Sequence, residues 1–476
     1  MSEDKSYYFC GIGGSGMLPL AMIVKAAGAR VAGSDRALDQ GRLAAKFQWL
    51  QDRGIDLFHQ DGSGLVDSSQ ILIASAAIEE TVPDVARAVA LGCKRMTRAE
   101  LLAKHFNAAS RSIAVGGTSG KSTVTGMIGW ILTETGRDPT IMNGAVMKNF
   151  VDAKAPFASS RVGAGEIMVS EVDESDGSIA LFDPEIAVLN NVSLDHKSLA
   201  ELRILFGEFV AKSSHVIWNH DDAESLALVD SLKLPATSSF GFSENADYRA
   251  VQVEEQALGS RFTLRKGEAS VPVRLQVPGR HNIANALAAI AASCAIGVPL
   301  ESAISAIGAF RGLARRFDIV GTAGEITVID DFGHNPDKIA ATLRTLKAFP
   351  GRVIAFFQPH GFGPIRKMGA ELAAVFSEYL DQDDHVILCD PVYFGGTVDR
   401  SRGSDSIVEA IVATGGRAEH IAVREECGER MVSIARPGDR IVIMGARDDT
   451  LHDFAESILA AIARHRSPSP ATDSVS

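Results

Sequence analysis

The stretch "RSIAVGGTSGKSTVTGMIGWIL", residues 111–132, runs from a short apolar strand through a glycine-rich turn into a helical pattern. Its centre, GGTSGKST (Gly116–Thr123), has the residue types that a phosphate-cradling loop needs. Gly117 and Gly120 let backbone amides approach phosphate oxygens, with Thr118 and Ser119 between them, and Lys121 supplies a point charge at the β and γ phosphates. Ser122 or Thr123 can offer a hydroxyl to Mg²⁺. The loop is shorter than a standard Walker A sequence, because Val115 stands five residues before Gly120 where that sequence has glycine. A strand feeding such a loop and then a helix predicts a parallel α/β sheet with its ligands at the strand ends.

Upstream, FCGIGGSGMLPLAMIVKAAGARVAGSD (residues 9–35) contains a second glycine turn. Gly11, Gly13 and Gly16 match G-x-G-x-x-G, and Asp35 closes the following strand. Taken alone this segment reads as a dinucleotide fold. A hydride-transfer enzyme, however, has no use for a second, lysine-bearing phosphate loop. Two phosphate loops fit better with an ATP-consuming enzyme whose other substrate is a nucleotide diphosphate. An NAD-dependent oxidoreductase and a non-catalytic nucleotide-binding regulator stay open as other classes.

Downstream, the buried strand EIMVS runs into EVDESDGS (residues 171–178), whose crowded carboxylates would repel one another without a cation or basic group among them. A solvated acidic loop is the alternative there. NNVSLDH ends another apolar strand in Asp195 and His196. GRHNIANA (residues 279–286) and DDFGHNP (residues 330–336) set Asn, Asp and His at turns, where they suit adenine and ribose recognition or simple helix capping.

The chain has 476 residues, 46% hydrophobic and 22% charged, so several domains are expected. Strand and helix signals suggest 1–108, 109–313 and 314–464 as domains, with a disordered tail at 465–476. The net charge of -12 disfavours nucleic acid or an anionic membrane as partner. Five scattered cysteines suggest neither a disulfide framework nor a zinc site. Absence of a signal peptide or an apolar run of membrane length makes the cytoplasm the expected compartment.

Taken together, GIGGSGM (residues 11–17), GSD (33–35), GTSGKST, EVDESDGS, NNVSLDH, GRHNIANA, RRF (315–317), DDFGHNP and FQPH (357–360) resemble the Mur ligases, in family order and over nearly the whole chain. The resemblance implies an α/β protein of three domains: a Rossmann-like N-terminal domain for a UDP-sugar, a central P-loop ATPase domain, and a Rossmann-like C-terminal domain that closes over the site. It implies ATP-dependent joining of an amino acid, L-alanine in the nearest subgroup, to UDP-N-acetylmuramate through an acyl phosphate, in peptidoglycan synthesis. A recycling ligase that attaches a tripeptide, or a divergent paralogue with another acceptor, is the alternative within the family. ATP and Mg²⁺ are the implied co-substrate and metal, and a monomer or homodimer the implied assembly.

By the same resemblance Gly11, Gly13, Gly14, Ser15, Gly16, Met17, Ser34, Asp35 and Ser75 would hold the UDP-sugar. Lys121, Glu171, His196 and His334 would serve the chemistry, and Ser122, Glu171 and His196 the metal. Asn282 would contact adenine, Arg315 or Arg316 the phosphates, and Asp330 or Asp331 the ribose. The chain departs from the alanine-adding pattern at Ser119, at Asn335, at Lys197 and Ser198, and at Gly361 and Pro364, where the family usually has arginines.

Overall fold

The computed structural model describes residues 5–76, 78–193, 197–392 and 399–466. The chain divides into two compact units, 1–313 and 314–476.

The first unit holds two sheets. In the smaller, β1 (Ser6–Cys10) feeds helix α1 (Met17–Ala26) and is flanked by β2 (Arg30–Ser34) and β3 (Gln70–Ala74); Asp56–Phe58 and Lys94–Thr97 lie outermost, all five parallel. The strand order reverses beside β1, so the crevice of this sheet opens at the C-terminal ends of β1 and β3. The larger sheet has ten strands. At its heart β4 (Arg111–Gly116), followed by α2 (Lys121–Glu134), lies between β5 (Ile167–Glu171) and β6 (Ile186–Leu189), all parallel. One end of this sheet turns antiparallel through Tyr248–Gln256, Gly259–Lys266 and Ala269–Leu275, a meander the sequence reading passed over.

Residues of β4 alternate between two cores. Ile113 and Val115 join the apolar cluster formed with α2 and the long helix α3 (Arg280–Ala295), whose run of Ala, Ile and Leu is buried almost throughout. Ala114 joins a second cluster that also takes in Tyr7, Phe9 and Phe106 from the smaller sheet and its helices, together with Phe182, Phe206 and Phe209. One apolar layer therefore serves both sheets, and the expected division near residue 108 falls inside a single compact unit.

The second unit is a six-stranded sheet in the order Asp318–Ala323, β7 (Ile326–Asp331), then Arg440–Gly445, Val353–Gln358, His385–Leu388 and Ala418–His420. Only the first strand runs antiparallel. Val353–Gln358 (VIAFFQ) is buried at all six positions, as a central parallel strand covered on both faces should be. The last helix, Thr450–Arg466, carries His465 and Arg466, which the sequence reading assigned to a disordered tail; 467–476 lie outside the described residues. No helix among the described residues is long and apolar enough to cross a membrane.

The contact of Phe182 with Phe106, edge-on with centroids 5.4 Å apart and both rings buried, ties the two sheets of the first unit together. Truncation of Phe182 to Ala is expected to destabilise this unit by about 3–5 kcal/mol. Urea denaturation followed by tryptophan fluorescence would measure it; an unchanged midpoint would show that the shared layer contributes little.

Candidate active site

The turn between β4 and α2 takes its shape from asparagines behind it. Asn191 Oδ1 accepts from the Ser119 amide and from Thr118 Oγ1, each at 2.8 Å, and Asn190 Nδ2 donates to the Ser119 carbonyl at 2.8 Å and to Asn285 Oδ1 at 3.1 Å. Gly120 is left-handed (φ +80°), and a Cβ there would stand 2.4 Å from Asn190 Nδ2 and 2.7 Å from Asn285 Oδ1. Only glycine fits. With the back of the loop bonded, the amides of Lys121 and Ser122 at the N-terminus of α2 have no backbone acceptor among the described residues, an arrangement suited to anions.

Lys121 Nζ donates to the Gly117 carbonyl and to Glu174 Oε2, both at 2.7 Å. Glu174 is buried, and burial pushes its carboxyl above the ordinary range against the pull of Lys121. Burial also opposes the charge on Asp173, but the Ser175 amide and Lys121 outweigh it and hold that carboxyl low. Beside this pair, Ser122 Oγ donates to Glu171 Oε2 at 2.6 Å. A hydroxyl and a carboxylate side by side are hard oxygen donors, the set Mg²⁺ takes when phosphates and water supply the rest. Among the described residues no three His, Cys, Asp or Glu side chains form a metal-binding group. His196, the third expected ligand, lies outside the described residues.

Asn282, expected at adenine, is buried instead. Its Nδ2 donates to the Pro278 carbonyl at 2.7 Å and its Oδ1 accepts from Asn285, so its amide fastens the start of α3.

In the N-terminal turn the amides of Gly11 and Ile12 donate to the Ser34 carbonyl, and Gly13 N donates to Asp35 Oδ2 at 2.8 Å. Asp35 Oδ1 accepts from Ala37 N at 2.8 Å. Asp35 thus locks the turn, and the Gly13 amide is spent on it. Ser34 is wholly buried with its hydroxyl on Asp84, and the Met17 side chain is in the core, so neither side chain can serve a ligand as expected. What faces outward is Gly14 and Ser15, with Gly16 half-buried and Ser75 exposed at the end of β3. The amides of Ser15 and Gly16, at the entrance of α1, have no backbone acceptor among the described residues.

The second unit corrects further expectations. Arg315 is buried, left-handed at φ +59°, and donates to the Gly445 and Asp448 carbonyls at 2.7 and 2.9 Å. Asp330 is wholly buried between Arg315 Nε at 3.5 Å and His452 Nδ1 at 3.1 Å. Asp331 accepts from Phe317 N, Gly333 N and Thr342 Oγ1. Arg315, Asp330 and Asp331 are thus buried in the framework of the unit, although Arg315 Nε and Asp330 Oδ1 lack a hydrogen-bond partner there. Arg316 is half-buried, with its guanidinium 4.2 Å from the Phe332 ring centroid. His334 Nδ1 lies 2.9 Å from the Phe332 carbonyl, which leaves Nε2 as an acceptor, and its ring meets that of His360 edge-on. Sequence reasoning missed a network at the end of Arg440–Gly445, where Asp448 gathers Gln358, Arg424 and Thr450.

Three family profiles match in succession: "Mur ligase family, catalytic domain" over 6–110, "Mur ligase middle domain" over 115–293, and "Mur ligase, glutamate ligase domain" over 315–447. A relative from Synechococcus sp. (strain JA-3-3Ab), named UDP-N-acetylmuramate--L-alanine ligase, is 35% identical over 93% of this chain and 84% of its own. The chain belongs to the Mur ligase family. A relative of the same name from Cereibacter sphaeroides is 33% identical over 96% of both chains. The solved UDP-N-acetylmuramate-alanine ligase of Thermotoga maritima shares the fold, with a TM-score of 0.80 at 24% identity over 97% of this chain and all of that one.

Within this Mur ligase, burial first, and the nearby Lys338 charge, push His334 down to about 3. The sign follows from linkage. An unfolded histidine near about 6.5 binds a proton that the folded one rejects, so stability falls as pH drops from about 6.5 towards about 3. His334→Asn is expected to flatten the stability of the second unit across that window. Equal slopes for wild type and variant in acid denaturation would contradict the neutral, buried imidazole.

Proposed function

We propose that this chain joins an amino acid, L-alanine on the names its relatives carry, to UDP-N-acetylmuramate at the expense of ATP, in peptidoglycan synthesis. The observation that carries the reading is the phosphate loop with Lys121 on a buried Glu174, beside the Ser122–Glu171 oxygen pair. Relatives bearing that name match over nearly the whole chain.

In the first step the substrate carboxylate attacks the γ-phosphorus, the bond to the bridging oxygen breaks, and ADP leaves. Lys121 exchanges Glu174 for the γ-phosphate and follows the charge that spreads over the transferring group. The amides at the start of α2 hold the phosphates in line. Ser122 and Glu171 would hold Mg²⁺, which when bound supplies neutralising charge on the β and γ phosphates. In the second step the amine of the acceptor attacks the acyl carbon and inorganic phosphate departs. The proton that the amine loses passes to water. Gly14, Ser15 and Gly16 receive the UDP pyrophosphate at the N-terminus of α1. Both nucleotide substrates belong to the cytoplasm, where the reaction is placed.

The deciding assay is Mg²⁺-dependent phosphate release from ATP with UDP-N-acetylmuramate, run with single amino acids and with a murein tripeptide. Release with L-alanine supports the reading; release only with tripeptide assigns recycling, and release with neither removes the ligase. Lys121→Ala is expected to lower the rate about 10²- to 10³-fold. A variant with wild-type release would rule out the loop as the ATP site.

A further inference from the structure

The strand Thr140–Met142 pairs parallel with β5, setting Met142 beside Ser170, so the next residues pass alongside Glu171. Asn143 is wholly buried. Its Nδ2 donates to the Ser122 carbonyl at 2.9 Å, its Oδ1 accepts from Ala145 N at 3.0 Å, and its own amide donates to the Ser159 carbonyl at 3.0 Å. The turn is therefore fastened to the residue that supplies one oxygen of the Ser122–Glu171 pair. Gly144 then meets the other: a Cβ built there would lie 2.1 Å from Glu171 Oε1 and 3.2 Å from its carboxyl carbon. That clash is with the far end of a flexible side chain. A methyl at 144 can be accommodated, but only by moving the carboxylate.

We propose that the Asn143–Gly144 turn is the positioning element of the cation site, with Gly144 acting as the wall that holds the Glu171 carboxylate against Ser122 Oγ. This rests on the reading of Ser122 and Glu171 as cation ligands. Neither Asn143 nor Gly144 touches the ion; both act through the ligands. The main chain of Gly144 stands where any larger residue would displace a carboxylate whose partner oxygen is 2.6 Å away.

The test uses the full chain with a non-hydrolysable ATP analogue and Mn²⁺ as probe, the free ion being counted by electron paramagnetic resonance. Gly144→Ala is expected to weaken Mn²⁺ binding at least about tenfold, the usual loss when a supporting group is disturbed. Its melting temperature should stay near that of wild type, because the carboxylate yields rather than the backbone. In a Glu171→Gln background the same change should add less than about twofold, since the group it displaces no longer carries the charge. Equal losses in both backgrounds, wild-type Mn²⁺ affinity in Gly144→Ala, or failure of that variant to fold would each overturn the positioning role. If Glu171→Gln alone binds Mn²⁺ as wild type does, the cation-site reading falls as well, and the two failures are told apart.

Discussion

A phosphate loop has to leave its front amides unsatisfied, and a buried turn cannot leave its back unsatisfied too. Here the carboxamides of Asn190, Asn191 and Asn285 carry the back. They come from the end of β6 and from α3, so the loop keeps its shape only if β6 lies beside β4 and α3 packs against α2. The left-handed Gly120 follows from that clamp, while the pairing of β5 with β4 brings Glu171 near Ser122. The ten-stranded sheet and its Ala-rich helix are the frame that brings asparagines far apart in sequence to one turn.

The carboxylates divide by what they face. Asp35 and Asp331 are consumed by backbone amides and hold turns in place. Asp330 is held by Arg315 and His452 within its own unit. Glu174 stands apart, with its partner the ammonium of Lys121. That buried carboxylate holds the ammonium beside the Gly117 carbonyl. Glu171 is set by a glycine wall on one side and a serine hydroxyl on the other.

Much of the frame was legible in advance, because strands such as EIMVS and VIAFFQ are uniformly apolar and the glycine turns have few other uses. The meander Tyr248–Leu275 was passed over, although its alternation of apolar and polar residues is the signal of half-buried antiparallel strands. Site residues fared unevenly. Ser122 meets Glu171, and Lys121 lies on Gly117 and Glu174. Ser34, Met17, Asn282, Arg315, Asp330 and Asp331 have inward-turned side chains, since a motif names a residue and says nothing of the direction in which it points. Glu174 sat within a quoted motif, but nothing local marks it, rather than its neighbours, as the partner of Lys121. Gly144 lies in no motif at all.

By itself, the order of amino acids determined the parallel α/β frame, the two glycine-rich turns and the family, because glycine content, charge and apolar runs are local properties. Tertiary structure decided which polar atoms are left for a ligand. A hydrogen bond or a close contact joins residues distant in sequence, as Ser34 meets Asp84 and Gly144 meets Glu171, and each atom so used is withdrawn from the site.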